Sequence, residues 1–147
     1  MFIEGILPAA RERLVTVRHD APLMEAAKLL SHAQIDLVVV CDDENVLTGV
    51  IAQADVVRQI GHCAGGSCMM AVAAVMKREV TCCFPGDLLT DVWVTMRERG
   101  LAHVPIIDEH SRPLGVLHAR DALQVLLDEV VNEELLLRDY VLGMGYR

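Results

Sequence analysis

The hydrophobic and polar positions of the chain follow one pattern that occurs twice. In each copy a glycine leads into apolar residues, and an aspartate follows six positions after the glycine. The first copy runs from Gly49 to Asp55 and the second from Gly115 to Asp121, so the offset is 66 residues (115 − 49 = 66 and 121 − 55 = 66). The same offset pairs most other apolar positions. The sequence therefore predicts an internal duplication of one structural unit.

The spacing of the apolar residues predicts similar elements in both copies. Continuous apolar runs between polar residues indicate buried strands, and apolar residues three and four positions apart indicate helices. Pro22 is well placed to begin a helix. The elements predicted in the first copy are a strand at 14–17, a helix from 23 to about 33, hairpin strands at 37–41 and 48–52, and a helix from 55 to about 60.

The second copy follows a break in composition at residues 61–68, which are rich in glycine and cysteine. The apolar segment 69–76 is predicted to be helical. Asp87 is expected to be the N-cap of the next helix, and Gly143 is expected to end the last one. The remaining predicted elements are a strand at 81–83, a helix at 89–96, hairpin strands at 103–107 and 114–117, and a helix from about 120 to 142.

These elements predict an α/β fold made of two repeats. A chain of 147 residues can bury a sizeable core, and a hydrophobic fraction of 53% with only 3% aromatic residues indicates an aliphatic one. The predicted domains are a first repeat at 7–62, a linker at 63–74, a second repeat at 75–130 and a C-terminal helical extension at 131–147.

The charge and the apolar runs exclude several classes of partner. The net charge of −8, without a cluster of basic residues, argues against binding to nucleic acid. No apolar run reaches the roughly 18 to 20 residues of a membrane helix, and the start of the chain does not have the pattern of a secretory signal. We therefore expect a cytoplasmic protein whose five cysteines are reduced thiols.

Short motifs in both copies carry a resemblance to a known family. They are Val15-Thr16-Val17, Leu37-Val38-Val39-Val40 with Asp42, and Gly49-Val50-Ile51 with Asp55, then His103-Val104-Pro105-Ile106-Ile107-Asp108, and Gly115-Val116-Leu117 with Asp121. In this order and register the chain resembles a tandem pair of CBS domains, named after cystathionine beta-synthase, which together form a Bateman module. The resemblance implies two repeats packed about a pseudo-twofold axis with ligand clefts between them.

The resemblance further implies a regulatory module that binds an adenosine-containing ligand: AMP, ADP, ATP, NAD or S-adenosylmethionine. Asp55 and Asp121 are expected to accept hydrogen bonds from ribose hydroxyls, because a carboxylate offers acceptors and a helix N-terminus stabilises its charge. The alternative is that both aspartates only cap their helices. The residues expected near the adenine are Thr16, Val17, Leu37, Val38, Val39, Cys82, Cys83, Ala102, His103, Val104 and Pro105.

One departure from the family pattern bears on the ligand. Three residues before the aspartate the family favours Thr or Ser, whose hydroxyl meets a phosphate, whereas this chain has Ala52 and His118. Ala52 has no side-chain donor, while an imidazole can donate a hydrogen bond. Together with Arg120 and the pair Lys77 and Arg78, His118 makes the second site the stronger candidate for a phosphorylated ligand. His103, Arg120, Lys77 and Arg78 could equally be ordinary strand or surface residues.

Alternative functions find less support in the sequence. Cysteines at 63, 68, 82 and 83 could form a metal or redox site with His62, but their spacing is unlike that of structural zinc sites. We therefore expect no bound metal. The chain has no nucleophile elbow, phosphate-binding loop or zinc-protease motif, so no enzyme activity and no catalytic residue are predicted. A scaffold that has lost its ligand remains the main alternative.

The last predicted helix suggests how the protein assembles. Its apolar residues exceed what a single buried stripe needs, and the excess is expected to be buried on a second copy in a homodimer. No effector domain is recognised in the sequence, so the ligand signal is expected to pass to a separate protein.

Overall fold

The computed structural model describes residues 1–62 and 69–145, and the side chains of residues up to 138. Cys63, Cys68 and most of the composition break at 61–68 lie outside the described residues. The predicted α/β class and the two repeats are confirmed, together with the long C-terminal helix. Among the described residues, no helix combines the length and the apolar character needed to cross a membrane.

The first repeat is a three-stranded sheet with two helices. The strands are β1 (Thr16–Arg18), β2 (Leu37–Cys41) and β3 (Leu47–Ala52), and the sheet order is β1-β2-β3. β1 runs parallel to β2 and β2 antiparallel to β3. A short helix α1 (Leu7–Glu12) precedes the sheet, and α2 (Leu23–Leu30) and α3 (Gln53–His62) complete the unit.

The second repeat contains a hairpin and two helices. The hairpin pairs β4 (His103–Ile107) with β5 (Pro113–His118), and this register places His103 directly opposite His118. Helix α4 (Leu89–Arg99) precedes the hairpin and α5 (Ala119–Gly145) follows it. The prediction that Gly143 ends the last helix is wrong, because α5 continues to Gly145.

The two repeats complete each other's cores. Buried residues of the N-terminal segment, among them Ile3, Ile6 and Ala10, pack into the core of the second repeat. Conversely Val72 and Met76, which precede the second repeat, pack into the core of the first. Each hydrophobic core therefore contains a segment that lies before the other repeat in the chain.

The repeated glycines allow these segments to approach. A Cβ atom at Gly115 would lie 2.8 Å from the backbone carbon and 2.9 Å from the Cβ atom of Ala10. A Cβ atom at Gly49 would lie 2.6 Å from the carbonyl oxygen of Lys77. Such distances are too short for a real side chain. Glycine at this repeat position is thus required by a close contact between the repeats.

The prediction of a strand at 81–83 is wrong, because the structure has only one parallel bridge there, between Cys83 and Ile106. The equivalent position in the first repeat explains the difference. There the backbone N–H of Val39 donates to the carbonyl of Val15 at 2.8 Å. The residue 66 positions after Val39 is Pro105, which has no N–H to donate, so the ladder is not extended.

Two predicted helix features are also wrong. Segment 69–76 contains no α-helix, and its described 3-10 helix is the short Val72–Ala74. The backbone N–H of Val72 donates across to the carbonyl of Ala21 at 2.8 Å, which favours an extended connection to the first repeat over a longer helix. Asp87 does not cap α4, because its carboxylate accepts the N–H of Phe84 at 2.8 Å and closes the preceding turn.

Candidate ligand-binding site

Two clefts lie where the repeats meet, and each contains one of the repeated aspartates. Cleft one is a cavity of about 260 Å³ around Asp55. It combines the end of β3 with the segments at 77–81 and 100–105. The predicted site residues that line cleft one are Leu37, Ala52, Asp55, Lys77, Ala102, His103 and Pro105.

Asp55 is buried in cleft one, with 2% of its surface exposed. Its Oδ2 atom accepts the backbone N–H of Ala52 at 2.9 Å, so the side chain folds back on the start of α3 as in a capping box. Its Oδ1 atom lies 3.4 Å from an Arg58 nitrogen and 3.7 Å from Nζ of Lys77. The carboxylate of Asp55 is therefore engaged in holding the helix start.

Cleft two is larger, about 660 Å³, and surrounds Asp121. It combines the end of β5 and the start of α5 with residues 33–36 and the segment after α1. Three predicted site residues line it, namely His118, Arg120 and Asp121. The larger cleft thus carries His118, Arg120 and Asp121 of the predicted second site, whereas Lys77, expected at the same site, lines cleft one and Arg78 lines neither cleft.

Arg13 is the partner of Asp121 in cleft two. Its Nε and Nη2 atoms donate to the two carboxylate oxygens at 2.5 and 3.1 Å. This hydrogen bond lowers the pKa of Asp121 and raises that of Arg13. Asp121 keeps 26% of its side chain exposed to the cleft, and a carboxylate that accepts two bonds from an arginine still has free lone pairs.

His103 and His118 form the wall between the clefts. Their ring centroids are 4.7 Å apart and the ring planes are perpendicular. Both Nε2 atoms face Oδ2 of Asp36, at 3.8 Å for His103 and 4.0 Å for His118. Nδ1 of His118 accepts the backbone N–H of Arg120 at 2.9 Å, which orients the ring at the start of α5. Burial lowers the pKa of both histidines.

The other residues expected near the ligand lie elsewhere. Val38 and Val39 are fully buried in β2, and a side-chain nitrogen of Arg78 donates to the carbonyl of Ala73 at 3.1 Å. Cys82, Cys83 and Val104 line a shallow pocket beside α4. Thr16 and Val17 line a separate groove together with Asp20, Glu25, Asp42 and Asp43.

That separate groove is a poor place for an anion. Four carboxylates line it, and Arg18, the one basic side chain among the residues that line the groove, is already paired with Asp20 and Asp43. Clefts one and two are therefore the places where the structure brings the predicted residues together.

The described cysteines have the character of inert core residues. Burial raises the pKa of the Cys41 thiol to about 11 and that of Cys83 to about 12, and it also raises the pKa of Cys82. Thiolates are the reactive and metal-binding form, and at neutral pH these groups hold their protons.

The sequence analysis missed Arg13 and Asp36, which complete cleft two. The 66-residue offset could have located Asp36, because its repeat partner Ala102 was expected in the site. Arg13 has Glu79 as its repeat partner, so neither residue type nor register indicated it. Only the packing of α1 on the second repeat brings Arg13 to Asp121.

The fold and the two clefts define an internally duplicated α/β module with one cavity at each junction between its repeats. The CBS domain family matches residues 5–62 and 72–128. The chain therefore belongs to the CBS domain family, as the resemblance in its motifs indicated. The matching family is not one of catalytic domains, and CBS-domain pairs are typically regulatory.

Similar proteins include a transport ATP-binding protein and a small uncharacterized protein. The choline transport ATP-binding protein OpuBA of Bacillus subtilis (strain 168) is 28% identical over 120 residues, which cover 82% of this chain and 30% of OpuBA. An uncharacterized 17.7 kDa protein of Acidianus ambivalens is 27% identical over 119 residues, covering 81% of this chain and 71% of that protein. This chain thus spans less than a third of OpuBA.

Solved structures of CBS-domain proteins share the fold. The CBS-domain containing protein ATU1752 from Agrobacterium tumefaciens is 26% identical with a TM-score of 0.70, and the match covers 84% of this chain and 91% of that one. The CBS domain pair of protein MJ0100, solved in complex with 5′-methylthioadenosine and S-adenosyl-L-methionine, has a TM-score of 0.72 at 19% identity and covers 88% and 98% of the two chains.

Proposed function

We propose that this chain is a regulatory module that binds an adenosine-containing ligand in cleft two and passes the bound state to a partner protein. The observation that carries the proposal is the placement of Asp121, whose side chain is 26% exposed at the wall of a cleft of about 660 Å³ with a histidine and two arginines beside it. Pockets of a few hundred Å³ or more suit ligands of nucleotide size.

The polar groups in cleft two favour a polyhydroxylated ligand that also carries charged or polar groups. The free lone pairs of Asp121 can accept hydrogen bonds from two adjacent ribose hydroxyls. Arg13 and Arg120 supply positive charge and His118 an imidazole, while Glu12 and Asp36 add two further carboxylates to the lining. A nucleotide or nucleoside derivative satisfies both requirements, because it joins a diol to charged or polar groups.

Cleft one is proposed to be a secondary site or an unused one. Asp55 is buried and already bonded to the start of α3, and Ala52 offers no side-chain donor. The cavity of about 260 Å³ is also less than half the volume of cleft two. These features agree with the helix-capping alternative for Asp55.

The ligand of a structural neighbour supports the class of compound. The CBS domain pair of MJ0100 was solved with S-adenosyl-L-methionine and 5′-methylthioadenosine. Because the two chains are only 19% identical, that structure indicates a shared fold and does not identify the ligand of this chain. Experiment has to choose among AMP, ADP, ATP, NAD and S-adenosylmethionine.

The transmission of the signal is proposed to depend on a second copy and a separate partner. Apolar side chains of α5 are exposed, with Leu136 70% and Leu137 65% accessible, and such a surface favours association with another protein chain. A ligand that binds one arrangement of the repeats more tightly shifts the population toward it. A homodimer in the cytoplasm would present that shift to the regulated protein.

A second candidate function is a scaffold that binds no nucleotide. The observation that favours it is the pair between Arg13 and Asp121, which already satisfies much of the carboxylate. In this alternative the ion pair between Arg13 and Asp121 only stabilises the packing around cleft two. The protein then acts through the exposed surface of α5.

Thermal unfolding with added ligands distinguishes the two candidates. The panel is AMP, ADP, ATP, NAD, S-adenosylmethionine and 5′-methylthioadenosine. A ligand present at 100 times its Kd should stabilise the fold by about 2.7 kcal/mol, which raises Tm by several degrees. The Asp121→Asn variant should lose that ligand-induced shift. The matched control is Asp108→Asn, which changes an aspartate in the turn between β4 and β5, outside both clefts.

Each outcome decides between the candidates. A shift with one adenosyl compound that persists in Asp108→Asn and disappears in Asp121→Asn supports the ligand-binding module. The absence of any shift across the panel supports the scaffold. A shift that survives in Asp121→Asn but disappears in Asp55→Asn contradicts the assignment to cleft two.

A further inference from the structure

Three side chains from distant parts of the sequence meet on the wall between the clefts. His103 is the first residue of β4, His118 is the last residue of β5, and Asp36 lies just before β2 of the other repeat. One nitrogen or oxygen atom from each lies within 4.8 Å of the others. The hairpin register holds the two histidines directly opposite each other, so their spacing is set by the backbone.

We infer that Asp36, His103 and His118 form a binding site for a divalent transition metal ion of the zinc class. Two imidazole nitrogens and one carboxylate oxygen are a typical ligand set for zinc that is bound with an open coordination position. The expectation of no bound metal rested on the spacing of the cysteines and of His62 beside them, and these three residues lie outside that set. The three residues proposed here are separated by 67 and 15 positions (103 − 36 = 67 and 118 − 103 = 15).

The ligand atoms of the cluster lie slightly farther apart than a bound zinc ion requires. Zinc bonds to histidine nitrogen and carboxylate oxygen of about 2.0–2.1 Å in a tetrahedron place the ligand atoms about 3.4 Å apart. The Asp36 oxygen lies 3.8 and 4.0 Å from the two Nε2 atoms, so these two separations each have to shorten by about half an ångström. The two histidine nitrogens, which lie within 4.8 Å of each other, have to reach the same spacing. The side chain of Asp36 is 54% exposed, and the hairpin register fixes the backbone positions of the two histidines.

One hydrogen bond must change when the ion binds. Nδ1 of His118 accepts the backbone N–H of Arg120, so the neutral ring carries its proton on Nε2. Coordination through Nε2 requires the proton to be on Nδ1 instead. Because a protonated Nδ1 no longer accepts this bond, the His118 ring has to move away from the N–H of Arg120. That N–H lies in the first turn of α5 and can bond to water instead, as the first N–H groups of a helix normally do. The amide of Arg120 is therefore a specific reporter of the site.

The location gives the ion a role at the junction of the clefts. Asp36 and His118 line cleft two, and His103 lines cleft one. Three protein ligands leave one tetrahedral position for water or for an oxygen of an anion. The binding of the ion itself does not depend on the proposed nucleotide, so the two hypotheses can be tested separately.

The test is titration of the full chain with Zn²⁺ alone, without nucleotide, followed by calorimetry and thermal unfolding. We expect saturation at one ion per chain and a Tm that rises by several degrees at 100 times Kd. His103→Gln and Asp36→Asn should each weaken zinc binding by about tenfold or more, because even loss of an outer partner of a metal ligand has an effect of that size. His110→Gln is the matched control, since His110 is an exposed histidine of the same repeat.

Spectroscopy distinguishes this site from the cysteines. With Co²⁺ in place of Zn²⁺, the proposed ligands give a visible spectrum without thiolate charge-transfer bands, and binding shifts the Arg120 amide resonance. Thiolate bands, or loss of binding in a Cys63→Ser, Cys68→Ser variant, would place the ion elsewhere and overturn the proposal. Wild-type zinc affinity in Asp36→Asn and His103→Gln together, or no zinc binding by the native chain, would overturn it equally.

Discussion

The aspartates of cleft one and cleft two occupy the same repeat position in different surroundings. Asp55 is 2% exposed and caps its helix through the backbone N–H of Ala52. Asp121 keeps 26% of its side chain exposed and is paired with Arg13. The equivalent of Ala52 is His118, which lines cleft two together with Arg120 and Asp121. The same position of the duplicated unit thus caps a helix in the first repeat and is partly exposed to a cavity in the second.

The comparison shows that a repeated residue does not fix a repeated role. In the first repeat one carboxylate oxygen caps the helix and the other lies near Arg58 and Lys77, so the buried Asp55 has few free lone pairs for a ligand. Pairing with an arginine from another segment keeps the carboxylate at the surface. The difference comes from neighbours that the duplication does not share, since Arg13 corresponds to Glu79.

The largest loss of stability is expected from substitutions of the repeated glycines. Gly49→Ala and Gly115→Ala should each destabilise the fold by about 1–3 kcal/mol, because the added methyl group overlaps backbone atoms of Lys77 or Ala10. Urea unfolding measures the change. Gly86→Ala is the control, since a Cβ atom there meets nothing within 4 Å, and its effect should stay within about 0.5 kcal/mol. Equal effects at Gly86 and Gly115 would contradict the close contact.

The next effect separates the two aspartates. Asp55→Ala should lower the free energy of unfolding by about 1–2 kcal/mol, because it removes the cap of α3 from a buried position. Asp121→Ala should have a smaller effect, since a partly exposed ion pair contributes about 1 kcal/mol or less. Denaturation of both variants in the same buffer measures the difference. A larger loss in Asp121→Ala would mean that the roles are reversed.

The smallest effect is a pH dependence confined to cleft two. Arg13 holds the pKa of Asp121 below its ordinary value, so the folded state binds this proton less readily than the unfolded state. The stabilisation from the pair is therefore present above the unfolded pKa of about 3.9 and is lost as pH falls through the lower folded pKa. The stability gap between the native chain and Asp121→Asn, about 1 kcal/mol or less at pH 7, should close toward pH 3.

A gap that stays constant with pH would contradict an electrostatic origin for that difference. The same series on Asp108→Asn is a useful reference, because the pKa of Asp108, in an exposed turn, is lowered mainly by the backbone N–H of Arg112 and not by a side-chain hydrogen bond from an arginine.

Much of the fold could be predicted from the sequence because it depends on local patterns. The apolar runs located β2, β3, β4 and β5, and the repeated glycine and aspartate located the turn into each following helix. The strand predicted at 81–83 does not form, because Pro105 has no N–H to bond to it. Pro105 is visible in the sequence, but its effect can be predicted only when the pairing of the strands is known. Pairing is a long-range property that periodicity does not give.

The candidate site was less predictable than the fold. His118, Arg120 and Asp121 follow one another closely in sequence, and a motif can locate such a set. Arg13 and Asp36 reach the same cleft only through packing between the repeats, and no spacing rule connects them to Asp121. Residues that reach a cleft from the other repeat cannot be found by a sequence motif until the packing of the two repeats is known.

The exchange of segments between the repeats has a consequence for how the chain can be divided. Residues 1–62 carry the piece that fills the core of the second repeat, and residues 69–145 carry the piece that fills the core of the first. We expect that neither half folds alone and that the two halves, expressed as separate polypeptides, reassemble into one particle. The interlocked arrangement makes the pair of repeats, not the single repeat, the cooperative unit of folding.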